Sequence, residues 1–325
     1  MSCCKEASLQ TVHGPIGGRR RLRTALRRAR DISGLTQEQV AATMDWSLSK
    51  LIRIEAGTVS ISTNDLKALL QLYRITDPVQ VSEFVEIARV ARRRAWWAPH
   101  KDHIPSSYGT YIGLEAEADE LCSYHSVGLP GLLQTEDYAR AMVDAVAPMH
   151  LRRDDVERRV EIRMQRQRAV FSQAVPLRMS CVIDEAALRR QTGGIEVMRE
   201  QLLHLEDLGN QTNIVIRVFP FTAGNYTNLG HFLILKFPDP DDTDVVYLEN
   251  RESGGLVIDE PTDTRPYLET FLRLQERSLP RTDSLAFIRR IADEMGANSN
   301  TVIVARGPST PPERLPLRTA PSPEL

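Results

Sequence analysis

Cysteine is scarce in this chain of 325 residues: Cys3, Cys4, Cys122 and Cys181, with no Cys-x-x-Cys pair among them. That spacing indicates neither a thiolate zinc site nor a disulfide framework, and the four read as incidental thiols. Long apolar runs are missing too. None approaches the roughly 18 residues of a membrane span, and MSCCKEASLQTVHGPIGG at the start has no apolar centre of signal-peptide type. A cytoplasmic protein with no membrane partner is the expectation. Catalytic signatures are as thin: there is no Gly-x-Ser-x-Gly, His-Glu-x-x-His, phosphate loop or dinucleotide fingerprint. No catalytic residue, cofactor or metal site is therefore expected, and the chain reads as a non-enzyme.

What is present is enough for two domains, with 42% hydrophobic residues as in an ordinary globular protein. The charge is unevenly divided. Residues 19–101 hold 16 Lys/Arg against 8 Asp/Glu, and residues 102–325 hold 24 against 34. A basic module joined to an acidic one suggests that only the first meets a polyanion.

The expected fold is an N-terminal all-α helix-turn-helix domain plus a C-terminal α+β domain, with flexible termini. Residues 1–18 read as a disordered arm, 19–77 as the helix-turn-helix domain and 78–107 as a helical basic linker ending near Pro99 and Pro105. Residues 108–296 read as the α+β domain, and 297–325 as a disordered tail with six prolines in its last eighteen residues. Within the second domain the pattern reads as mostly helical from Tyr111 to about Phe171. Strands follow over 177–183, 213–219, 232–237 and 245–249, with helices near 195–208, 264–277 and 284–294.

The informative stretch is LTQEQVAATMDWSLSKLIRIEAG, residues 35–57. Thr36 and Gln39 make a capping-box pattern, Asp45-Trp46 makes a break, Ser47 is a natural N-cap for the next helix and Gly57 stops it. Leu51 and Ile54 can anchor that helix, which leaves Ser47, Ser49, Lys50 and Arg53 on the outer side. In helix-turn-helix binding the N-terminal residues of such a helix enter the major groove of double-stranded DNA. Small hydroxyls allow close approach, and Lys50 can reach a guanine edge or a phosphate. Gln37, at the start of the preceding helix, is placed to hold a phosphate. The bland alternative is a small helical bundle with a solvated polar face.

LRRARDISGLTQEQVA followed by MDWSLSKLIRIEAG resembles the helix-turn-helix of the Xre/Cro/C1 repressor superfamily. That resemblance implies a DNA contact at Gln37, a reading tip from Ser47 to Lys50, a phosphate contact at Arg53, and pairing of Arg27 with Glu55 inside the domain. Leu48 stands where relatives often carry Gln, so a thymine methyl is its plausible target. YIGLEAEADELCSYHSVGLPGLLQTEDYARAMV and VFPFTAGNYTNLGHFLILKFPDPDDTDVVYLEN resemble the C-terminal DUF5753 region of actinobacterial Scr1-like regulators. The resemblance implies an antitoxin-like transcriptional regulator with a small DUF397-type protein as partner. A homodimer is expected, because one small reading head binds weakly. Any small-molecule ligand is unknown. The alternatives are an interaction module with only non-specific DNA affinity, and an enzyme tethered to DNA.

Other features of the second region have plainer readings. Leu129, Leu132, Leu133, Tyr138 and Ala141 read as core, with a pocket wall as the alternative. RRDDVERRVEIRMQRQR (152–168) reads as a solvated helix with Asp154–Arg158 and Asp155–Arg159 pairs, and Trp96 and Trp97 as a seal between the domains. PDPDDTD (238–244) reads as a solvated turn rather than a calcium loop. Cys122 and His125 read as neighbours on one helix face, most simply a buried thiol beside a surface histidine. Asp184-Glu185 reads as helix-start charge.

Overall fold

The computed structural model describes residues 14–100, 103–146, 153–224, 230–238, 242–249 and 255–305. Cys3, Cys4 and the proline-rich stretch from residue 306 lie outside them. Five helices come first: α1 (Pro15–Ser33), α2 (Gln37–Thr43), α3 (Leu48–Glu55), α4 (Thr63–Leu72) and α5 (Pro78–Ala91). Each of the last four starts at a side-chain cap, from Thr36, Ser47, Ser62 and Asp77. Gly34 and Gly57 take positive φ, the left-handed conformation that closes a helix. Leu26, Val40, Leu51, Leu66, Leu69 and Leu70 are fully buried in one core, which Phe84, Ile87 and Ala88 of α5 complete. The sequence reading put α5 in a linker; its apolar stripe makes it the fifth wall of this bundle.

The second domain is a mixed six-stranded sheet with helices on both faces. Its elements in order are α6 (Ser106–Glu115), β1 (Glu120–His125), α7 (Glu136–Val146), α8 (Arg153–Phe171), β2 (Arg178–Asp184), α9 (Glu185–Arg189), α10 (Ile195–Gly209) and β3 (Ile214–Phe219). Then come β4 (Phe232–Lys236), β5 (Val245–Leu248), β6 (Leu256–Ile258), α11 (Pro261–Arg277) and α12 (Arg281–Ala305). Strand order is β3-β2-β1-β4-β5-β6. β1, β2 and β3 are parallel, while β4, β5 and β6 run antiparallel to their neighbours. Leu202 and Leu205 of α10 and Ile288 and Ile291 of α12 fill one face, and Phe271 and Leu274 of α11 the other. The outer edge of β3 is capped at Val218 by the α11–α12 junction. Val218 N donates to Ser284 Oγ and Leu279 N donates to Val218 O, both at 2.9 Å; pairing the edge this way removes an aggregation hazard.

The element bounds differ from the sequence reading in three places. The region from Tyr111 to Phe171 is mostly helical, but Glu120–His125 within it is the central strand, which the reading did not include. Buried on both faces, it shows no polar alternation to read. Helix α12 runs on to Ala305, past the expected tail boundary at 297. Helix α1 begins at Pro15, inside the expected arm.

That early start joins the two domains. The Gly17 N donates to the Glu117 carboxylate at 2.8 Å, and a Cβ on Gly17 would overlap that carboxylate. Arg21 Nε meets Asp242 at 3.1 Å, Arg23 pairs with Asp259, and Arg20 donates to Thr243 while lying 4.2 Å over the Phe237 ring. Trp97 fills the corner against Gly113 and Ile16. Of PDPDDTD, residues 239–241 lie outside the description, and Asp242 is no solvated turn residue but the partner of Arg21.

Candidate nucleic-acid interface

Helices α2 and α3 are set by reciprocal hydrogen bonds and one tight turn. Thr36 Oγ accepts from Gln39 N at 3.3 Å, and Gln39 Oε1 accepts from Thr36 N at 2.9 Å. Asp45, with φ 54°, reverses the chain after α2. Ser47 Oγ then accepts from Lys50 N at 3.2 Å to begin α3. Thr36→Ala removes one half of the box and should lower the stability of the helical domain by about 1 kcal/mol. Urea denaturation checks this; an unchanged midpoint would show that the box is ornamental.

Beneath the two helices lies a buried carboxylate. Glu55 is fully buried and accepts from Arg30 Nε at 2.8 Å and from Gln37 Nε2 at 2.7 Å. The expected partner was Arg27. One turn earlier on α1, Arg27 is exposed, and it is Arg30 that faces Glu55. The amide of Gln37 is thus oriented by the same group that ties α1 to α3, which fixes the start of α2 relative to the C-terminal end of α3.

Ser47, Leu48, Ser49 and Lys50 come together at the solvent end of α3, and Arg53 continues that side with Nε bonded to Ser49 O at 3.2 Å. Lys50 is less free than its sequence suggests. Its ammonium sits 3.2 Å from Asp65 and 3.9 Å over the Trp46 ring. An exposed pair of this kind is worth about 0–1 kcal/mol, so an approaching phosphate can compete for the cation. Arg30, Trp46 and Asp65 shape this surface as well; Arg30 and Asp65 reach Glu55 and Lys50 across 25 and 15 residues of sequence, while Trp46 meets Lys50 locally, four residues on.

Residues 21–84 match the model of a helix-turn-helix domain, and residues 108–290 match that of a domain of unknown function, DUF5753. The second match covers more than half of the chain. The chain belongs to the DUF5753 family. The helix-turn-helix match runs to residue 84, halfway along α5, in keeping with a bundle whose core α5 completes. No curated protein and no solved structure matches the chain.

Inside the DUF5753 domain, the polar residues singled out from the sequence have structural surroundings. Leu129, Leu132, Leu133 and Tyr138 are buried in the core, and Gln201 ties the loop down by accepting from Thr135 N at 2.7 Å and donating to Leu133 O at 2.8 Å. Asp184 caps α9 through Ala186 N at 2.8 Å. Cys122 and His125 are on a strand, not a helix, so an i,i+3 spacing points them to opposite faces. Burial pushes both Cys122 and Cys181 up, the latter to about 11, and pushes the His125 imidazole down to about 3. Neutral thiols and a neutral imidazole on opposite faces do not make a thiolate–imidazolium pair.

The arginine-rich helix α8 is only partly a solvated helix. Arg166 is buried and binds Glu115 through Nε at 2.6 Å, Tyr108 Oη at 2.9 Å and Tyr111 Oη at 2.8 Å. Burial alone would lower its pKa; the Glu115 charge and the two ring hydroxyls more than reverse this, leaving it well above the ordinary value.

Proposed function

We propose that this DUF5753 protein is a sequence-specific transcriptional regulator acting in the cytoplasm as a homodimer. In this reading Thr36, Gln37, Ser47, Leu48, Ser49, Lys50 and Arg53 contact double-stranded DNA. The observation that carries it is the α2–α3 pair in a matched helix-turn-helix domain, with its hydroxyl-rich and cationic end turned to solvent. The second domain binds a small partner protein of DUF397 type or a small ligand in an antitoxin-like arrangement, and contributes no catalysis. Helix α1 is the route of coupling. Its C-terminal half belongs to the reader core, and its N-terminal half is held by Glu117, Asp242, Thr243 and Asp259 of the DUF5753 domain. A partner that favours one seating of α1 would reset the spacing of two reading heads and so shift operator occupancy.

The test is selection of sites from a random duplex pool, followed by affinity measurements across a salt series. The wild type should recover an inverted repeat with half-sites about one helical turn apart. The double variant Ser49→Ala, Lys50→Ala should lose the preference and keep most salt-dependent binding. Equal, sequence-blind binding by both proteins would instead leave an interaction module with a phosphate clamp.

A further inference from the structure

The outward side of α3 carries two large aliphatic side chains that the fold does not use. Leu48 is 38% exposed and Ile52 43% exposed, whereas Leu51 and Ile54 of the same helix are buried. Positions four apart on a helix lie one above the other, so Leu48 and Ile52 form an uncovered apolar stripe on an eight-residue element. Its polar neighbours are partly engaged within the protein. Ser47 Oγ holds Lys50 N, the Lys50 ammonium lies between Asp65 and Trp46, and Arg53 Nε is bonded to Ser49 O. No Arg, Asn or Gln, the types that grip guanine or adenine with two hydrogen bonds, occurs from Ser47 to Ile52.

We infer that Leu48 and Ile52 are specificity-determining residues that read the C5-methyl groups of thymines in the major groove. The inference rests on the reader role proposed above and names what that reader selects. Thymine presents a methyl group in the major groove, and apolar contact is the means by which a protein registers it. At a rise of 1.5 Å per residue the two side chains are about 6 Å apart along the helix. That spans roughly two steps of a duplex with a rise of 3.4 Å. Each half-site therefore contains two thymines within about two base pairs, one under each side chain. The hydroxyls of Ser47 and Ser49 let the stripe come close, and Lys50 and Arg53 flank it toward the phosphates.

The experiment uses the full-length protein and the site recovered from the random pool, resynthesised with uracil in place of thymine at one position at a time. Uracil keeps every hydrogen-bonding group and lacks only the methyl. Wild type should bind about fourfold more weakly at each of two positions per half-site, the scale set by burying one methyl group. Ile52→Ala should bind thymine and uracil alike at one of them and still discriminate at the other. Leu48→Ala should show the complementary pattern, and Ile52→Val an intermediate one. Both side chains are exposed, so the variants should keep the wild-type circular dichroism spectrum. A thymine-to-uracil ratio of one throughout the wild-type site would overturn the inference while leaving the reader intact. Unchanged ratios in Ile52→Ala with an altered oligomeric state would overturn it too, and assign the stripe to a protein contact. Failure to recover any site is a distinct result, because it removes the reader reading itself.

Discussion

Arg166→Met should destabilise the DUF5753 domain by about 3–5 kcal/mol, the range for stripping one partner from a buried ion pair. The Glu115 side chain is fully buried, and Arg166 supplies its counter-charge as well as donors to Tyr108 and Tyr111. Tyr111 in turn stacks on Tyr247 of β5 at 4.2 Å, so the network braces α6 and α8 against the sheet. Methionine replaces the volume but leaves the buried carboxylate without its counter-charge, held only by the Tyr111 hydroxyl that donates to it, a costly arrangement unless solvent is drawn inward. Two domains need not unfold together, so a single melting curve would mix their transitions. Hydrogen exchange of amides in β1 and α8 reads the effect locally. Protection there should fall, while that in α2 to α4 stays near wild type. Adding Glu115→Met to Arg166→Met should recover much of the loss, since an apolar pair of similar volume is often as stable as the ions. A loss below about 1 kcal/mol would mean that the pair is idle, and a double variant no better than the single would place the loss in the Arg166 contacts with Tyr108 and Tyr111 instead of in the orphaned carboxylate.

The helical domain was legible because its boundaries are written locally. Thr36 with Gln39, Ser47, and Gly57 each mark a helix end through bonds within three or four residues, and the caps form as their spacing predicts. Strands β2 to β5 were legible for a similar reason: β-branched and aromatic runs between turn residues. Strand β1 was not, because ELCSYH has no such run and becomes a strand only through pairing with β2 and β4. Long-range partners were hidden altogether. Seven arginines between 152 and 168 read as a solvated face, yet Arg166 is a core residue. Arg27 and Arg30 are equally plausible mates for Glu55 until the angle of α1 is known. Residues 1–18 read as a disordered arm, although Gly17 and Gly18 belong to α1 and let it approach Glu117 and Ala91 closely. Candidate DNA contacts fall on the legible side of this divide because they sit beside their own caps. The contacts that hold the reader to the DUF5753 domain fall on the other.

Those contacts should make the junction sensitive to pH. Burial raises the Glu117 carboxyl to about 7, against the opposing pull of the Gly17 N–H and of Arg21 and Arg20; Asp242 adds to the rise. An acid whose folded pKa lies above its unfolded value contributes stability that is fully present below about pH 4.5. That stability is lost as pH rises through about 7. The difference amounts to at most about 3 kcal/mol, and less insofar as solvent reaches the partly buried side chain. His125 works in the opposite sense. Its folded pKa of about 3 lies below the ordinary value, so its contribution is present above about pH 6.5 and lost as pH falls toward 3. Comparing wild type with Glu117→Gln separates the two, because the amide oxygen can still accept from Gly17 N and carries no charge. The variant should gain stability over wild type progressively between pH 4.5 and 7 and hold that gain at pH 8. Hydrogen exchange at the start of α1, Gly17 and Gly18 above all, should slow correspondingly. Parallel pH profiles for the two proteins would show that Glu117 keeps an ordinary carboxylate pKa. The seating of α1 would then owe nothing to its protonation and rest on the arginine contacts with Asp242, Thr243 and Asp259.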